Sequence, residues 1–155
     1  MSIISISDLS LTLQKKSILK NINLEIEKGQ IIGLIGPSGS GKTTLMKTII
    51  GFYDQERGKV TIDGRDLAKN KEEIRKIVGY STQEGCFYEE LTVDENLRYF
   101  GRLYDLDDKT IKARTDELLR LVQLENTNKV LAEKLSGGMK RRLDLAIALI
   151  HSPKI

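Results

Sequence analysis

The stretch IIGLIGPSGSGKTT, Ile31 to Thr44, joins a short apolar run to a glycine loop that ends in Lys-Thr. Gly36, Pro37, Ser38, Gly39, Ser40, Gly41, Lys42 and Thr43 fit the spacing Gly-x-x-x-x-Gly-Lys-[Ser/Thr], whose glycines let successive backbone N–H groups turn inward on an anion. Lys42 can carry a positive charge to the β- and γ-phosphates. The Thr43 hydroxyl is placed to complete the coordination of Mg²⁺, an ion that keeps most of its other positions for water and phosphate oxygens. Ile31, Ile32, Leu34 and Ile35 read as a buried strand of the parallel type. Thr44 to Ile50 reads as a helix stopped by Gly51, with its N-terminal partial charge turned toward the phosphates.

With 155 residues the chain is of single-domain size and ordinary soluble composition, 39% hydrophobic and 30% charged. The net charge of +3 comes from 25 basic and 22 acidic residues. These are interleaved, so charge gives no reason to expect nucleic acid as a partner. Lys140, Arg141 and Arg142 form the densest basic run and read as a solvated helix face. No segment approaches the roughly 18 consecutive apolar residues of a membrane span. The start, MSIISISDL, lacks the basic and apolar regions of a signal peptide, which predicts a cytoplasmic protein. The single cysteine, Cys86, has no partner at metal-ligand spacing and reads as a small hydrophobe or exposed thiol.

Leu9, Leu11 and Leu13, and then Ile22, Leu24 and Ile26, alternate with polar residues as half-buried antiparallel strands do. Lys28-Gly29 is a turn. Gly58 reads as another turn, Val60 to Ile62 as a strand, and Asp63-Gly64 as a hairpin turn. Lys71 to Lys76 is predicted helical, feeding an apolar strand from Ile77 to Tyr80. Beyond this the pattern turns to helices. Thr92 with Glu95 is a capping box opening a helix through Leu97, Phe100 and Leu103. A second helix runs from about Asp108 to Leu124 with Ile111, Leu118, Leu119 and Val122 near one face. A short piece from Val130 to Leu135 precedes Ser136-Gly137-Gly138. The last helix carries Leu143, Ala146, Ile147 and Ile150, and Ser152-Pro153 ends it. The predicted layout is an α/β phosphate-loop core with an N-terminal antiparallel β subdomain, about residues 1–84. An inserted helical subdomain, about 85–137, and a last helix, 138–155, follow.

Leu135-Ser136-Gly137-Gly138-Met139 resembles the signature motif Leu-Ser-Gly-Gly-Gln of the ABC ATPases, and Gln83, closing GYSTQ, resembles the Q-loop glutamine of that family. The likeness extends over essentially the whole chain. Ser136 reads as an N-cap, and Gly137 and Gly138 leave the backbone bare at a positive helix end, a second anion site in one chain. The resemblance implies that two such subunits pack head to tail, as a homodimer, with ATP between the phosphate loop of one and the signature of the other. Carried over by position, Gly36 to Thr44 would hold the phosphates and Mg²⁺. Gln83 would sense metal and γ-phosphate. Ser136 and Gly138 would contact the nucleotide bound by the partner.

The same resemblance implies a membrane-spanning transporter subunit as partner and a place on the inner face of the plasma membrane. EGCFYEELTVDENL would receive a helix of that subunit, with Phe87 and Tyr88 as its apolar contacts. Three departures stand out. The position that stacks on adenine in the family is held by Leu13, and no aromatic residue precedes Phe52. Such stacking is worth roughly 1 to 3 kcal/mol per base, so modest ATP affinity is expected. Met139 followed by Lys-Arg-Arg-Leu resembles the ABC-2 type exporters. The sequence closes at Ile155, before the run that in the family carries the Mg²⁺-organising aspartate and catalytic glutamate. No catalytic residue is therefore expected within these residues, and these residues alone should hydrolyse ATP near background with apolar faces uncovered. His151 reads as a helix-end residue facing the negative dipole terminus. Two rival readings are a soluble ABC ATPase of DNA repair or translation and a non-hydrolytic nucleotide-binding module.

Overall fold

The computed structural model of the chain describes residues 2–82 and 85–155. Its contacts divide it into two compact units, the first ending at Arg75 and the second spanning Lys76–Ile155.

The first unit is built on an antiparallel sheet. β1 (Ser2–Leu13) pairs with β2 (Lys16–Glu27) and, on its other side, with β3 (Arg57–Ile62), while the short β4 (Arg65–Asp66) extends the edge beyond β3. The alternating leucines and isoleucines predicted this arrangement. Ile4, Ile6, Leu9, Leu11, Leu19, Val60 and Ile62 are buried, and the polar residues between them face outward or lie half-buried. Gln14 and Lys15 both have positive φ and make the two-residue hairpin between β1 and β2. Asp63-Gly64 makes the next hairpin in the same way, as expected.

Gly58 is not a turn. It lies inside β3 with φ +94°, and a Cβ there would stand 2.5 Å from the carbonyl oxygens of both Ser7 and Asp8. The β1–β3 register shifts between Ser7 and Ser10. Asp8, also at positive φ, lets the inward face of β1 change from Ile4 and Ile6 to Leu9 and Leu11. The glycine is thus the close-approach point of a bulge, a role that its sequence surroundings share with a turn.

The apolar run before the phosphate loop forms no strand. Ile31 and Ile35 are each 99% exposed, and Ile32 and Leu34 are also exposed. A strand needs a ladder, and no other segment among the described residues pairs with this run. α1 (Lys42–Ile49) follows the loop and ends as the sequence indicates. Gly51 has φ +74°, Phe52 N–H donates to Lys47 O at 2.8 Å, and Gly51 N–H donates to Thr48 O at 3.0 Å. α2 (Lys71–Arg75) closes the unit, with Ile74 buried.

The second unit is helical. α3 (Val93–Leu103) opens on the predicted capping box. Glu95 N–H donates to Thr92 Oγ1 at 3.2 Å, and Thr92 N–H donates to Glu95 Oε2 at 2.8 Å. That backbone bond holds the Glu95 carboxyl below its usual range. α4 (Asp108–Leu121) is capped by Asp107, and α5 (Gly137–Leu149) by Ser136. Val93, Leu97, Leu118, Leu119, Val122, Leu143, Ala146, Ile147 and Ile150 share one core with Leu124, Ala132 and Leu135.

The predicted strand at Ile77–Tyr80 forms only a fragment of ladder. Ile155 N–H donates to Ile77 O at 3.1 Å and Gly79 N–H to Ile155 O at 2.8 Å, the pattern of two chains running parallel. His151 does not meet a helix end as a cation. Its ring lies flat on Tyr104, centroids 3.8 Å apart, and its Nε2–H donates to Val78 O at 3.2 Å. The other ring nitrogen is buried without a partner among the described residues, and burial lowers the imidazole pKa below 6.5. The ring is held neutral because charging it would leave a desolvated cation beside Arg114.

Candidate functional site

The phosphate loop is held by its own lysine. Lys42 Nζ donates to Gly36 O at 2.7 Å and to Pro37 O at 2.8 Å, folding back across the loop that Ser38, Gly39 and Ser40 complete. Gly39 and Gly41 both have positive φ, and a Cβ on Gly41 would stand 3.3 Å from a methyl of Leu19 on β2. The loop is thereby seated against the sheet at the residue where α1 begins. Gly41 caps α1 without a side-chain hydrogen bond, and the first turn holds no acidic residue. The N–H groups of that turn therefore face outward unclaimed by a capping side chain, next to an ammonium group. Electrostatically this is an anion site. Thr43 is exposed in the first turn, while Thr44 is half-buried and its carbonyl accepts from Thr48 Oγ1 at 2.8 Å. Leu13 is half-buried at the end of β1, opposite Lys16.

The second glycine motif is in the other unit. Ser136 Oγ accepts from Met139 N–H at 3.3 Å, the N-cap role read from the sequence. Gly137 and Gly138 are exposed, and a Cβ on either would meet nothing within 4 Å. Internal packing does not require these two glycines, so the bare backbone faces outward. Leu135 is buried in the helical core and Met139 packs at its edge, so these two anchor the motif. Gln83 lies outside the described residues.

The flanks of Gln83 are gripped by α5, which the sequence reading missed. Asp144 is wholly buried, and its carboxylate accepts the Cys86 backbone N–H at 2.8 Å, the Cys86 thiol at 3.0 Å, and the Ser81 hydroxyl. Arg141 Nη1 donates to Thr82 O at 2.9 Å. Lys140 Nζ bonds Glu89 at 2.6 Å and lies over the Phe87 ring. The basic run is therefore not simply a solvated face. The available signal was one acidic residue set between Leu143 and Ala146 on the apolar side of the last helix. Phe87 is half-buried against the core, whereas Tyr88 is exposed and meets Tyr99 edge-on with centroids 5.0 Å apart.

Cys86 is accordingly neither a plain hydrophobe nor an open thiol. Burial, and next the bond to Asp144, push its pKa from 9.0 up to about 12. Between those values the unfolded chain releases the thiol proton and the folded chain retains it, so stability should fall as pH rises from 9.0 toward about 12. Alkylation of Cys86 at pH 8 should be slow and should accelerate only in strong alkali. A rate typical of a free thiol at pH 8 would contradict the burial.

A glycine loop with an inward lysine at a helix start, and a second glycine helix start capped by serine, define a phosphate-loop nucleotide-binding protein with an ABC-type signature. The chain belongs to the ABC transporter family, whose profile matches residues 19–155. It is 40% identical over 155 residues to ABC transporter G family member 23 of Dictyostelium discoideum, covering 99% of this chain and 22% of that protein. It is 37% identical over 141 residues to the linearmycin resistance ATP-binding protein LnrL of Bacillus subtilis (strain 168), covering 91% of this chain and 45% of that protein. A solved structure described as the ATP binding subunit of an ABC transporter superposes with a TM-score of 0.86 at 31% identity, over 98% of this chain and 63% of that one. Relatives named for import and for drug resistance both occur among the matches. Among the described residues no helix is long and apolar enough to cross a membrane.

Proposed function

We propose that this chain is the ATP-binding part of an ABC transporter ATPase, which couples ATP binding and hydrolysis to movement of a separate membrane-spanning subunit. One observation carries the reading. Lys42 is folded onto the Gly36 and Pro37 carbonyls beside a helix start that no side chain or acid caps. Gly36 to Thr44 hold the phosphates, and Leu13 lies under adenine. Thr43 and Gln83 would hold Mg²⁺, and the exposure of Thr43 in the first turn of α1 fits that part; the ion would supply neutralisation of phosphate charge. Lys42 and the helix N-terminus stabilise the charge that develops on the transferred phosphoryl group.

Leu135 to Met139 form the face offered to the nucleotide of a second, identical subunit. The two open glycines support this, because nothing inside the chain needs them. Tyr88, exposed beside Tyr99 and half-buried Phe100, is the apolar contact for a helix of the membrane subunit, on the inner face of the plasma membrane. Met139 with the Lys-Arg-Arg-Leu that follows favours an exporter of the ABC-2 type.

Titration of the full-length protein with Mg-ATP tests the reading. Lys42→Ala should weaken binding about ten- to a hundred-fold, the worth of hydrogen bonds to a charged group, and should reduce hydrolysis to background. Affinity within error of the parent would remove Lys42 from the site.

A further inference from the structure

The geometry points to Asp144 as a positioning residue that ties the signature helix to both flanks of Gln83, so that the two motifs shift together during the nucleotide cycle. This rests on the reading of Gln83 as the nucleotide sensor. A wholly buried carboxylate is costly unless its oxygens are fully used, and an apolar residue of similar size commonly packs as stably. Among the described residues Asp144 forms no ion pair. Its oxygens are used instead by the Ser81 hydroxyl, two positions before Gln83, and by the Cys86 N–H and thiol, three positions after it. The carboxylate thus joins two points of chain around one residue.

The rest of that face of α5 works in the same direction. Lys140, Arg141 and Asp144 lie within one turn of the helix. Arg141 holds the Thr82 carbonyl, and Lys140 holds Glu89 and covers Phe87. Ser81, Thr82, Cys86 and Glu89 are thereby fastened to the helix that begins at Ser136. A displacement of the helix start, as when it meets a partner's nucleotide, is passed to both sides of Gln83. Asp144 acts through the segment it holds.

The test uses the full-length protein carrying Asp144→Asn, which keeps the shape and removes the charge, and Ser81→Ala, which removes one bond and spares the core. Two quantities are read in each. One is the alkylation rate of Cys86 by a neutral maleimide, followed by mass spectrometry of its peptide. The other is kcat and KM for Mg-ATP. Asp144→Asn should label about tenfold faster and lose about tenfold in kcat, the loss expected for hydrogen bonds to a charged acceptor. KM should stay within about twofold, because the phosphate grip is made by other residues. Ser81→Ala should move both rates the same way by a smaller factor.

Parental kcat in a variant whose Cys86 has become reactive would overturn the inference, since the clasp would be open and the chemistry indifferent. Unchanged Cys86 labelling in both variants would overturn it as well. If Asp144→Asn fails to fold, the same two readings in Ser81→Ala decide. A parent without Lys42-dependent hydrolysis sinks the proposed function and the inference with it, whereas a hydrolysing parent with a silent Asp144 sinks the inference alone.

Discussion

Asn96→Ala should cost the helical unit about 1 to 3 kcal/mol, a large share of the stability of a small domain. Asn96 is wholly buried on α3, and its amide closes the turn that leads into the helix. Its Oδ1 accepts the Tyr88 N–H at 2.8 Å, while its Nδ2 donates to the carbonyls of Tyr88 at 2.9 Å, Leu91 at 3.3 Å and Thr92 at 3.0 Å. Alanine would leave the buried Tyr88 N–H without its acceptor, at about 1 to 3 kcal/mol, whereas the three carbonyls each keep a backbone donor, Leu91 N–H for Tyr88 O, Ala132 N–H for Leu91 O and Asn96 N–H for Thr92 O. Asn96→Asp should be no better, since it keeps the acceptor, loses the donors and buries a charge. Urea unfolding of the variants, with exposed Leu103→Ala as the near-neutral control, measures the effect. A loss under about 1 kcal/mol would mean that the turn from Tyr88 to Thr92 reaches water when its amide is removed.

Gly58→Ala should be the most damaging single methyl in the N-terminal unit. The added Cβ would lie 2.5 Å from two carbonyl oxygens of β1, at a φ of +94° that side chains avoid. Backbone strain of about 1 to 3 kcal/mol and overpacking of about 1 to 3 kcal/mol act together. Gly64→Ala separates the two causes, because Gly64 has φ +76° and open space around its Cβ position. It should cost only the strain, about 1 kcal/mol. Hydrogen exchange of the β1 and β3 amides reports the difference. Equal exchange in the two variants would show that β1 gives way at the bulge.

How far the sequence could be read follows the distance over which each feature is decided. The alternation in β1 and β2, the Thr92–Glu95 box, the Gly51 helix stop and the Ser136 cap each depend on neighbours a few residues away, and each was legible. The start of α1 directly after the glycine loop was legible for the same reason. Gly58 was misread because a positive φ serves a turn and a bulge alike, and only the approach of Ser7 and Asp8 separates the two. The run at Ile31 to Ile35 has the composition of a buried strand, yet composition cannot supply a ladder partner, and the side chains stand exposed. Asp144 went unread because its partners lie 58 and 63 residues away. His151 was assigned to a dipole it does not use because Tyr104, remote in sequence, claims its ring.

The parallel bonds among Ile77, Gly79 and Ile155 join the two ends of the unit Lys76–Ile155. Bonds between segments so far apart in sequence have a place in the order of assembly. α3, α4 and α5 can gather around Leu97, Leu118 and Leu143 through contacts of modest sequence separation, while the closing bonds must first overcome the entropy of the whole intervening loop. These bonds should therefore form after the helices have packed.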